Sequence, residues 1–167
     1  MSRSKGYPLP DEAGDDIILY VYERINKLRR SEMREASFLL IFERIFRMND
    51  TYEEILETAR DADEYEFNDD AVGNLRGVYE NLDTIDGIIA SYSEKRQISR
   101  ISKVSLAVLR LAIYEINFCE KVPTNVAISE AVNLAKKFAL DTEVQFVNGV
   151  LGAYSRDLAE KDSEAAE

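Results

Sequence analysis

Along most of this chain the apolar residues recur at spacings of three and four, and this period limits the fold more than any other feature. Val72, Leu75, Val78, Leu82, Ile85 and Ile89 follow it, as do Val104, Val108, Leu109, Ala112, Ile113 and Ile116. Such spacing puts one apolar stripe on a helix, because a helix turns once every 3.6 residues. No segment alternates apolar and polar residues long enough to make a strand. Only seven glycines and three prolines punctuate 167 residues, too few for a sheet protein built on turns. The chain reads as all-α. Its length suits one domain, or two small bundles sharing a core, and needs no disulfide or metal to hold it.

Local signals place the helices. Residues 1–14 hold Pro8, Pro10 and Gly14 and read as disordered. Residues 15–28 read as a helix with Ile18, Val21, Ile25 and Leu28 on one buried face, although its IILYVY centre also suits a strand. Ser31 reads as the N-cap of a second helix reaching about Met48. Its stripe of Phe38, Phe42, Ile45 and Phe46, widened by Leu39 and Leu40, is apolar enough to predict a central position. Thr51 with Glu54 forms a capping box for a helix to about Ala62. Asn68 starts another, which runs to about Tyr92 with a break near Asp83 or Gly87. Ser102 caps the next, and Thr124 or Asn125 opens a further one after Pro123. Thr142 with Gln145 reads as a second capping box, before a last helix presenting Val147, Val150, Leu151, Tyr154 and Leu158. Gly149 and Gly152 in that helix predict a close crossing with a neighbour. Gly73 and Gly77 likewise read as packing positions, and Asn148 as a buried hydrogen-bonding residue.

The net charge of −11 is unevenly spread. Residues 50–86 carry thirteen acids and two bases, so their own net charge equals that of the whole chain. Basic stretches flank them: residues 24–47 are net +4 and residues 95–137 net +5. Each run on its own suits a solvated helix face. Together they allow one basic face able to hold a polyanion despite the acidic total.

Several chemistries are excluded. The chain has no histidine, hence no imidazole acid–base or His-metal site. Cys119 is its one cysteine and reads as a small apolar residue beside Phe118. There is no GxxxxGK[ST] or GxGxxG phosphate loop, and Glu53, Glu54 and Glu57 read as a solvated surface. No enzymatic role, cofactor or metal is expected. The longest apolar runs, such as FLLIF at 38–42, are far short of the ~20 residues of a membrane span. No signal peptide is visible at the N-terminus, so a cytoplasmic protein is expected.

Three stretches resemble the NusB family of bacterial transcription antitermination factors. VPTNVAISEAVNLAKKFALDTEVQFVNGVLG, residues 122–152, is similar to that family's Val-Pro, VAINEAVELAKKF-type helix and FVNGVL segment. SKVSLAVLRLAIYEI, residues 102–116, is similar to its helix ending in LRLAIYEL. RRSEMREASFLLIF, residues 29–42, is similar to its arginine-rich first helix. The resemblance implies two packed three-helix bundles plus an extra helix, covering residues 29–160. Residues 1–28 would be a partly helical extension and 161–167 a frayed tail. It also implies binding to boxA-type single-stranded RNA, with the ribosomal protein NusE as partner, within the RNA polymerase antitermination complex.

Under that resemblance Arg29, Arg30, Arg34, Lys136 and Lys137 are candidate phosphate contacts. Phe138 and Phe146 are candidate stacking surfaces for unpaired bases, and the helical phase of Phe146 equally allows a core role. The acidic middle, with Asp69, Asp70 and Glu80, would face the basic NusE. This sequence departs from the family pattern at Ser31, Glu32, Leu39, Gln145 and Gly152. Glu32, Leu39 and Gln145 support an alternative, a NusB-fold protein–protein adaptor with little RNA affinity.

Overall fold

The computed structural model describes residues 15–94 and 96–166. Among them are seven α-helices and no strand: α1 (Asp15–Phe46), α2 (Tyr52–Ala62), α3 (Asp69–Glu80), α4 (Leu82–Tyr92), α5 (Lys103–Phe118), α6 (Thr124–Phe138) and α7 (Asp141–Ala165). A single 3₁₀ turn, Ile98–Arg100, precedes α5. The chain forms two compact units, Met1–Glu32 and Met33–Glu167. The expected disorder of residues 1–14 lies outside the described residues.

In the first unit the chain is helical from Asp15. Leu19, Tyr20, Val21 and Tyr22 are exposed, and Ile25 is half-buried. The expected buried stripe is therefore absent at Val21. The side chains of Ile18 and Leu28 lie outside the described residues. Tyr20 accepts a hydrogen bond from Arg24 one turn on (2.8 Å).

Ser31 does not start a helix. It lies inside the continuous α1, whose 32 residues contain neither glycine nor proline to end it. The helix stops at Phe46, two residues short of the expected end.

In the second unit the centre belongs to α5, not to α1. Every residue from Ser105 to Ile113 is buried, and α5 packs against α3, α4, α6 and α7. From α1, Phe38, Leu40 and Ile41 enter this core, while Leu39 and Phe42 are half-buried at its edge. Ala71, Leu75 and Val78 of α3 and Ile85 and Ile89 of α4 join them at the expected spacing. The break between α3 and α4 falls at Asn81, whose amide donates back to the Gly77 carbonyl (2.8 Å). Gly77 earns its place sterically: a methyl group there would run into the ring of Tyr114. Gly73 has open space around it.

Three caps form as the sequence indicates. Thr51 and Glu54 make the reciprocal capping box of α2, Asn68 accepts from Ala71 N–H, and Ser102 accepts from Ser105 N–H. Each such cap stabilises by roughly 0.5–2 kcal/mol. The box at Thr142 does not form, because α7 begins at Asp141 with Leu140 as its flanking residue and no side-chain cap. The expected crossing at the α7 glycines is also absent: nothing approaches Gly149, and Gly152 faces only Arg156 of its own helix. Rather than fraying from residue 161, α7 stays helical to Ala165. No helix among the described residues is long and apolar enough to cross a membrane.

Candidate nucleic-acid interface

Two ion pairs, each with one buried partner, shape the second unit. Arg34 donates to Glu115 through Nε (3.0 and 3.2 Å) and Nη2 (2.9 Å), a forked pairing with a carboxylate that is almost wholly buried. Its third nitrogen lies 3.6 Å from Glu130. Burial alone would lower the pKa of this guanidinium, but the hydrogen bond to Glu115 and the charges of Glu115 and Glu130 outweigh it and push it up. Arg34 was expected to grip phosphate, and the structure corrects this: its fork is fully engaged within the fold. Arg110 pairs likewise with Asp86 through Nε (2.9 Å) and Nη2 (2.8 Å), over the ring of Tyr79.

The other candidate cations are open to solvent. Arg29 and Arg30 are exposed on the first unit. In the second unit Lys136 is exposed at the end of α6 and makes no ion pair among the described residues. Lys137 is exposed but reaches Glu35 of α1 (2.7 Å). A pair this exposed is worth little and would exchange readily with a phosphate. Phe138, the next residue, lies under the Lys137 ammonium (5.4 Å) and against Phe38 (5.0 Å between ring centroids). It still shows 36% of its surface, so a base could reach it.

Phe146 follows its core reading in part. It is half-buried against the core, and its ring is covered by the guanidinium of Arg96 at 4.0 Å. Arg96 was not among the candidates. It donates through Nη1 to both oxygens of Glu143 (3.0 and 3.2 Å), which also accepts from Ser105 (2.7 Å) and Ser102 (3.2 Å). Burial would raise the pKa of this carboxyl, but the hydrogen bonds from Ser105 and Arg96, with the Arg96 charge, hold it below the usual range. Asn148, expected to be buried, is exposed.

On the acidic side, Asp69 and Asp70 are exposed in the first turn of α3, where the helix dipole favours them. Glu80 is exposed at its other end, about 15 Å along the axis at 1.5 Å per residue. The three thus share a helix without forming one cluster. Beside Asp69 an open pocket of about 320 Å³ is lined by Asp63, Tyr65, Phe67 and Arg60 among others.

A second surface escaped the sequence reading. Phe46, assigned to the core stripe, is 63% exposed, and Met48 is 72% exposed. Phe46 packs edge-on against Phe42 (5.1 Å), which stacks on Phe38 (6.0 Å). The result is an aromatic ladder that runs from the core to solvent. The stripe period was right, but the last turn of α1 extends past the elements that could cover it.

A protein-family model described as the NusB family matches residues 31–156. A transcription antitermination protein NusB from Natranaerobius thermophilus is 39% identical over 140 residues, covering 78% of this chain and 97% of that protein. The solved structure of Thermotoga maritima NusB superposes with a TM-score of 0.67 at 36% identity, covering 76% of this chain and 90% of that one. A NusB solved with NusE and double-stranded RNA superposes with a TM-score of 0.63 at 26% identity, covering 74% of this chain and 93% of its own. The family match takes in α5 and the LAKKF and FVNGVL segments, and the chain belongs to the NusB family.

Proposed function

We infer that this protein is a transcription antitermination factor that binds boxA-type RNA together with NusE and joins the RNA polymerase antitermination complex, notably on ribosomal RNA operons. The observation that carries this reading is family membership over residues 31–156, with relatives of that name matched over nearly their whole length. It acts in the cytoplasm, by binding and without catalysis. Residues 29–160 are the RNA- and protein-binding domain. Arg29, Arg30, Lys136 and Lys137 contact phosphates, and Phe138 offers a surface to unpaired bases, with Phe146 reaching them only through the Arg96 that covers it. The exposed charge and aromatic positions described above support these assignments. The test is in vitro transcription through a terminator downstream of boxA, with the other Nus factors present. Adding this protein should increase readthrough, and no increase would overturn the reading.

The acidic residues Asp69, Asp70 and Glu80 face NusE, whose basic surface they complement. Complementary charge mainly accelerates encounter. Reversing all three to Lys should therefore slow association with NusE at low salt more than it speeds dissociation, as read by stopped-flow or surface binding. An unaltered on-rate would place the partner elsewhere, the Phe42–Phe46–Met48 surface being the apolar alternative.

One observation favours the second reading, a NusB-fold adaptor with weak RNA affinity. Arg34 and Lys137, two of the five candidate cations, are already paired with carboxylates of the chain itself.

A further inference from the structure

The segment before α5, KRQISRISK at 95–103, carries four bases and no acid. Within it Arg96 is held in an unusual way. Its guanidinium lies 4.0 Å from the centre of the Phe146 ring, at stacking distance. One edge is fixed by Glu143, which is itself anchored by the hydroxyls of Ser102 and Ser105 at the start of α5. Yet 37% of the Arg96 side chain stays exposed. With the Phe146 ring on one side and Nη1 held by a carboxylate, the rest of the guanidinium is the part a ligand would meet.

That geometry selects its ligand. The Glu143 carboxylate offsets the Arg96 charge and holds its Nη1, so little net charge is left there for a phosphate. A guanidinium plane backed by an aromatic ring is instead a rigid platform for another flat group. The charge around it is basic: Arg100 ends the 3₁₀ turn and Lys103 begins α5, both exposed. A flat group joined to negative charge is an unpaired nucleotide. We propose that Arg96 is a stacking platform for one unpaired base of the bound RNA, and that Arg100 and Lys103 hold the phosphates on either side of it. This rests on the RNA-binding reading above and adds a base-contacting residue to it.

The experiment uses the full-length protein and short single-stranded RNAs of boxA type, each with 2-aminopurine at one position. Stacking quenches the fluorophore. The unsubstituted protein should quench it strongly at one position. Arg96→Lys keeps the charge facing Glu143 and loses the plane. It should abolish that quench and weaken binding by about tenfold, within the range for loss of one stacked base, while the salt dependence stays parental. Arg100→Gln with Lys103→Gln should do the reverse, leaving the quench in place and flattening the log–log salt slope by about 1.4. Parental quenching and affinity in Arg96→Lys would overturn the platform. If that variant melts below the parent, the exposed Arg100/Lys103 pair decides, and an unchanged salt slope there overturns the proposal. Absence of any RNA binding by the unsubstituted protein is a different result, and it removes the underlying reading along with the site.

Discussion

Replacing Arg34 by Ala is expected to destabilise the folded chain by about 3–5 kcal/mol, because it strands a buried carboxylate without its partner. Glu115 keeps only 5% of its side-chain surface in solvent, and the forked contact from Arg34 is its described ion pair. For a chain of this size the loss corresponds to a fall in melting temperature of roughly 6–20 °C. Converting both partners together, Arg34→Met with Glu115→Leu, should recover most of it, since apolar side chains of similar volume then replace the pair. A loss below about 1 kcal/mol in Arg34→Ala would show that the pair is not formed as described. It also follows that any RNA-binding defect of an Arg34 variant would report folding first.

The phosphate contacts are better tested at Arg29 and Arg30, which are exposed and hold no place in the core. Changing both to Ala should leave the melting temperature within about 1 °C, as surface substitutions usually do. RNA affinity near 0.15 M salt should fall about tenfold, for all RNA sequences alike. Each lost contact on a single strand removes about 0.7 from the log–log salt slope, so the double variant should be flatter by about 1.4. Filter binding or anisotropy over a salt series measures both quantities. An unchanged slope with unchanged affinity would take Arg29 and Arg30 out of the interface.

Three helix starts were legible from local signals. Thr51 with Glu54, Asn68 and Ser102 lie within three residues of the backbone groups they satisfy, and each caps as read. Ser31 shows the limit of such signals. A serine can cap a helix only if the chain before it leaves the helical region, and between Asp15 and Phe46 no residue forces it to. Thr142 misled in the same way, since α7 starts one residue earlier. The centre of the fold was misplaced because apolar richness in α1 said nothing about which helix the others surround. In the site, residue type was legible and engagement was not. Arg34 and Glu115 stand 81 residues apart, and no spacing rule links them. Arg96 and Phe146 are fifty residues apart, so their stacking also had no sequence signal. Phe46 was in phase with the core, but phase cannot tell where a helix outruns its neighbours.

The proposed function turns on joint recognition of RNA and NusE. The measurement is a titration of boxA-type single-stranded RNA with this protein, alone and in the presence of saturating NusE, over a salt series. The expected result is weak binding by the protein alone, tighter binding with NusE, and affinity that falls as salt rises. No RNA binding under either condition, with NusE binding intact, would contradict it and leave the adaptor reading in its place.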